Sequence, residues 1–149
     1  LVAAVLLGGC AQDHAGSGGD FTPTVQPSTA QRQTREHADR VIATTGTAGT
    51  GREERLTCPG QISDYPDDEL YRIQGSYQLP IKSEEQQAAY DRLTAQWTAE
   101  GLEPRAGGTG DPWVGDADLK VDTMDGFVVS LSGGPAVQLV VVSKCLHEG

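Results

Sequence analysis

The groups that could do chemistry in this chain are few and scattered. Three histidines occur, His14, His37 and His147. His14 lies in a Gly/Ser-rich stretch and His147 in the terminal tail. His37 sits on a helical segment one residue before Ala38, where it is expected to face solvent. None has a Ser/His/Asp context, and no Gly-x-Ser-x-Gly elbow occurs. A general base without a positioned partner is only a titrating surface group, so no catalytic residue is expected. Residues 46–51, Gly-Thr-Ala-Gly-Thr-Gly, have the look of a phosphate loop. Arg52 and Glu53 stand where Lys and Ser/Thr are required, and no strand leads in. The stretch reads as a loop leaving a helix.

Acidic residues crowd around Tyr65-Pro66: Asp64, Asp67, Asp68 and Glu69. Hard cations take such oxygens, but the Asp-x-Asp-x-Asp-Gly spacing is missing, and a solvated acidic turn before a strand is the better reading. Asp111, Asp116 and Asp118 pose the same question. No metal set and no cofactor motif is expected. The Gly-rich segment 106–115 carries Trp113 after Asp111-Pro112. Such a tryptophan either anchors an interface or folds back to cap the core.

Cys10 is the best-marked reactive group. It follows an apolar run, Leu1-Val2-Ala3-Ala4-Val5-Leu6-Leu7, and two small residues. That pattern reads as a secretion signal with its cleavage site, lacking its basic start. It is too short to span a bilayer, which needs about 20 apolar residues. Leu7-Gly8-Gly9-Cys10 resembles a bacterial lipobox. The resemblance implies cleavage before Cys10 and a diacylglyceryl group on its thiol. Burying acyl chain contributes about 0.8 kcal/mol per CH₂, and two chains hold firmly where one does not. The expected location is therefore the outer face of the cytoplasmic membrane.

Three segments follow: a signal peptide over 1–9, a lipidated cysteine and disordered tether over 10–27, and a single α+β domain over 28–149. The tether composition of Gly, Ser, Thr, Pro and Gln has little to bury. As a flexible coil it would reach roughly 20–25 Å. With Cys10 lipidated, Cys58 and Cys145 remain. An even remainder in an exported chain implies a disulfide between them. The other options are two buried thiols or half a metal site, and His147 is the only imidazole close in sequence to either.

Twenty-one acids against eleven bases give a formal charge of −10. This argues against nucleic acid, which rewards basic patches, and against a polybasic contact with anionic lipid.

The elements that must position these groups are legible from pattern. Two segments start in capping-box form, Ser28-Thr29-Ala30-Gln31 and Ser83-Glu84-Glu85-Gln86. They predict helices over about 29–45 and 84–100, stopped at Gly46 and Gly101. Ala89, Leu93 and Trp97 form one stripe on the second, which makes Trp97 a core residue. Residues 69–81 alternate, with Tyr71, Ile73, Gly75, Tyr77 and Leu79 on one face. A short strand is possible at 102–105. Alternation returns at Ala117, Leu119 and Val121, turns at Asp125-Gly126, and continues through Phe127, Val129 and Leu131. The dense run 137–143 reads as a central or doubly covered strand. The expected fold is α+β: an antiparallel sheet of about four strands, two helices on one face and one disulfide.

The later part, roughly residues 58–146, resembles a group of small actinobacterial exported lipoproteins of uncharacterised function. The shared features are Trp97 four residues before Gly101, Asp125-Gly126-Phe127, and Ser143-Lys144-Cys145. The resemblance supports fold and compartment and carries over no catalytic residue. The expected function is a non-catalytic, lipid-anchored domain that binds an envelope protein or other envelope component. Its candidate surface is Trp113 with Asp64, Asp67 and Asp68. A small-ligand carrier with a pocket between the layers is the alternative, and an envelope hydrolase the third reading.

Overall fold

The computed structural model describes residues 22–58, 70–106 and 117–148. Helix α1 spans Pro27–Thr45 and α2 spans Ser83–Ala99. The strands are β1 Thr50–Thr57, β2 Leu70–Leu79, β3 Arg105–Ala106, β4 Leu119–Asp122, β5 Phe127–Ser132, β6 Val137–Ser143 and β7 Leu146–His147. They form one antiparallel sheet in the order β1-β2-β6-β5-β4-β3, with β7 also paired to β2. The α+β class and the disulfide are as expected. The sheet has seven strands, not about four.

The additional strands are those without apolar alternation. β1 reads Thr-Gly-Arg-Glu-Glu-Arg-Leu-Thr and is mostly exposed. It is held by the backbone ladder to β2, from Thr50 opposite Gln78 to Thr57 opposite Tyr71. Charges on an edge strand discourage pairing with other chains, and they also hide the strand from a hydrophobicity pattern. The stretch 46–51 is thus not all loop, because β1 begins at Thr50. His147 is not in a free tail. Its backbone N–H reaches Pro23 O at 3.0 Å, and its carbonyl accepts from Val25 N at 2.8 Å. Residues 23–25, assigned to the tether by composition, therefore lie against β7.

Both helices start differently from the capping-box expectation. The N-cap of α1 is Gln26 in an extended conformation, and no side chain caps it. Pro27 opens the helix instead, its fixed φ suited to the first turn and its missing N–H no loss there. In α2, Ser83 Oγ donates to Gly134 O at 3.3 Å. Gln86 Nε2 donates to Ile81 O at 3.0 Å and to Gly134 O at 2.8 Å. These side chains tie the helix start to the β5–β6 turn rather than capping it.

The ends conform. Gly46 takes φ +69° and its N–H bonds Ile42 O. Gly101 takes φ +82°, with Gly101 N to Thr98 O at 3.1 Å and Leu102 N to Trp97 O at 2.9 Å. That pair of bonds is a Schellman motif, which needs a left-handed residue and folds the next side chain back onto the helix. The next side chain is Leu102, packed against the core.

The core lies between the helices and one sheet face. Ala38 and Val41 of α1 and Ala89, Leu93 and Trp97 of α2 cluster with inward residues of β2, β4, β5 and β6. Gly75 lets α1 come close. A Cβ there would sit 2.6 Å from the Tyr77 ring and 2.8 Å from Thr34 Cγ2. β6 is central, between β2 and β5, and Val142 on the other face is buried as well. The Cys58–Cys145 disulfide, Cα atoms 6.0 Å apart, fastens the end of β1 to the chain after β6.

Two stability changes are expected. Replacing Cys58 and Cys145 together by Ser should lower unfolding free energy by about 2–5 kcal/mol, read from urea midpoints with and without reductant. Gly101→Ala has open space for its methyl, so only backbone strain acts. It should cost about 1 kcal/mol in the same assay.

Candidate functional site

A cleft of about 330 Å³ opens where α1, α2 and the β4–β5 turn meet. Helical spacing supplies its walls. His37, Arg40 and Val41 are at i, i+3 and i+4 on α1. Leu93, Gln96, Trp97 and Glu100 repeat the pattern on α2. Leu102 arrives through the Schellman turn, and Val129 comes from β5. The turn contributes Thr123, Met124 and Asp125. The floor is apolar, formed by Val41, Leu93, Trp97 and Val129, and all four are buried. Trp97 is thus the expected core residue and a cleft wall at once. Met124 is 83% exposed and is the one exposed large hydrophobic side chain among the described residues.

The turn is built by Thr123. Its N–H bonds Phe127 O at 2.8 Å, its carbonyl accepts from Gly126 N at 3.1 Å, and its hydroxyl oxygen accepts from Phe127 N at 2.9 Å. Gly126 takes φ +87°, and Asp125 is not left-handed. The hairpin is therefore a longer loop closed by a left-handed glycine, not a two-residue Asp-Gly turn. Asp125 lies against α1 as a result.

There it meets His37. Nε2 of His37 lies 2.8 Å from Asp125 Oδ2 and 3.1 Å from Oδ1, and the Thr123 hydroxyl donates to the same carboxylate. The imidazole packs on Phe127 with ring centroids 4.8 Å apart. Burial alone would push the Asp125 carboxyl up. The hydrogen bonds from Thr123 and His37 outweigh it and hold the group below its usual range. His37 is only 14% exposed at its side chain. The expectation of a solvent-facing histidine without a partner is corrected: a carboxylate 88 positions away in sequence supplies one. No sequence pattern announces that pairing. The only hint was that His37 borders the apolar stripe of α1.

Across the cleft, Arg40 Nη2 donates to Glu100 Oε1 at 2.9 Å, and Gln96 Nε2 reaches the same oxygen at 3.2 Å. Thr44 donates to Gln96 Oε1. An ion pair, Arg40–Glu100, and a histidine–carboxylate hydrogen bond, His37–Asp125, thus cross between the elements that form the mouth.

Asp118 accepts from Tyr90 OH at 3.2 Å and from Gly133 N at 2.6 Å, so it latches α2 to the β5–β6 turn. Burial, with that carboxylate, pushes the Tyr90 hydroxyl up to about 12. Cys10, Asp64, Asp67, Asp68, Asp111, Trp113 and Asp116 lie outside the described residues. Among the described residues, no group of three or more His, Cys, Asp or Glu side chains converges as a metal would require. No described helix is long and apolar enough to cross a membrane.

The Asp125 contacts make a sign-definite pH prediction. A carboxyl held low in the fold stabilises above its unfolded value, about pH 4, and that contribution is lost as pH falls through the folded value. The urea midpoint of the native chain should therefore fall more steeply below pH 4 than that of Asp125→Asn, measured by circular dichroism across pH 2–5.

No known protein family, curated protein or solved structure matches this chain.

Proposed function

We propose that this chain is a binding protein held on the outer face of the cytoplasmic membrane by lipid on Cys10, and that it takes a small ligand in the α1–α2–turn cleft. The observation that carries the binding reading is the cleft itself: an apolar floor under a polar, charge-paired mouth. Small-molecule sites combine an apolar lining with a few placed polar groups, and about 330 Å³ lies at the small end of their range. The pocket sits where a two-layer fold can open, between the helices and the sheet edge.

Compartment is supported from two sides. The apolar run ending at Cys10 has the order of an export signal. The Cys58–Cys145 disulfide belongs in an oxidising environment outside the cytoplasm.

Binding fits better than turnover. The His37–Asp125 pair has the first two members of a base-and-orienter arrangement. Among the described residues, however, no serine, threonine or cysteine bonds the imidazole. The pair reads as a tie that holds the turn against α1.

Cell fractionation tests the anchor. The native protein should sediment with membranes and carry the mass of a diacylglyceryl group on Cys10. Cys10→Ser should release it to the soluble fraction. An unmodified Cys10 thiol in membrane-purified protein would refute the anchor.

A further inference from the structure

We infer that the ligand of this cleft is a small organic cation, an ammonium group on a compact apolar body. This deepens the binding reading above and rests on it. The first observation is the balance of charge at the mouth. Asp125 and Glu100 face one guanidinium, Arg40, and the imidazole of His37, which is already hydrogen-bonded to Asp125. A second hollow, about 280 Å³, shares Leu102, Thr123 and Met124 with the first and adds Glu103 and Asp122 against Arg105. Carboxylates outnumber guanidinium groups along the whole groove, in a chain whose formal charge is −10. That field attracts a cation and repels an anion before contact.

The second observation is acceptor capacity. Arg40 and Gln96 both donate to Oε1 of Glu100. Among the described residues, Oε2 of Glu100 takes no donor. Asp125 is 45% exposed at its side chain while holding Thr123 and His37. A carboxylate offers about four lone-pair sites, so both groups can accept an ammonium N–H without releasing a present partner. Charge-assisted bonds of this kind are about twice as strong as neutral ones.

The third observation is the body. Leu93, Trp97 and Val129 line the base of the cleft, with Trp97 the most accessible of the three, and Met124 stands exposed at the rim. A thioether on three rotatable bonds adapts to a ligand and gains burial by closing over it. The volume suits one ring with a short chain. An anion could reach the N–H groups that Arg40 leaves free, but it would sit beside both Asp125 and Glu100.

Three probes with a common phenylethyl body test this on the folded chain: 2-phenylethylammonium, 2-phenylethanol and 3-phenylpropanoate, titrated at pH 7.5 and followed by amide chemical shifts. The amine should bind about tenfold tighter than the alcohol, with the carboxylate weakest. Shifts should centre on Leu93, Trp97 and Met124. Glu100→Gln and Asp125→Asn should each remove most of the amine's advantage, with the amide spectra of the free variants showing that the fold is kept. Glu84→Gln, remote from the cleft, should leave that advantage intact. Equal binding of amine and alcohol, or tightest binding of the carboxylate, would overturn the cationic assignment and leave the binding cleft standing. If none of the three moved the cleft resonances, the cleft reading would fall as well.

Discussion

The close seating of α1 on β2 is the constraint on which the rest of the molecule depends. Thr34 packs over Gly75, where any side chain would collide with it and with the Tyr77 ring. The buried threonine spends its hydroxyl on Ala30 O at 2.8 Å, so it fills the contact without leaving a polar group unpaired. The same helix reaches β1 through Arg35, 3.6 Å from Glu53, and Glu53 accepts from Tyr77 OH at 2.7 Å. With its first half fixed in this way, α1 carries His37 to the β4–β5 turn and Arg40 to the end of α2. The cleft is a consequence: two helices and a turn converge over one sheet face, and their ends leave a hollow between them.

Periodicity carries information about single elements, and those elements were legible. The Ala89-Leu93-Trp97 stripe, the alternation from Tyr71 to Leu79, the left-handed stops at Gly46 and Gly101, and the pairing of Cys58 with Cys145 all follow from local spacing or parity. What periodicity cannot carry is a strand without apolar residues or a contact between distant polar ones. β1 owes its place to backbone hydrogen bonds with β2, and any sequence able to extend could make them. β7 has two residues, too few for a pattern. The capping boxes failed for a related reason. Ser83 and Gln86 have the right types at the right spacing, but Gly134 O from the sheet is a better-placed acceptor than the helix's own start is a donor.

The site was the least legible part. Asp125 belongs to a turn by every local rule, and His37 to the edge of a helix face. Their meeting depends on the loop being one residue longer than the Asp-Gly dipeptide suggests, with Gly126 alone left-handed. That extra length carries Met124 to the loop tip and Asp125 toward α1. The two residues that define the mouth of the cleft are products of turn geometry. They were hidden in a stretch whose composition spoke only of a hairpin.

The turn also links the cleft to the place where the chain joins the domain. Pro23 and Val25 line a shallow hollow with Asp125, Gly126 and Phe127, and Val25 O accepts from Tyr71 OH. The first described residues therefore lie beside the His37–Asp125 pair, not at the far edge formed by β1. Under the proposed lipid anchor on Cys10, the cleft would lie on the side of the domain where the described chain begins. An acidic domain is repelled by an anionic bilayer, so the proposed anchor would hold near the surface a body that would otherwise leave it. A cation concentrated at the same anionic surface would meet the acidic mouth there. On that proposal, anchor, charge and cleft position would act in one direction, raising encounter with a ligand that the membrane itself gathers.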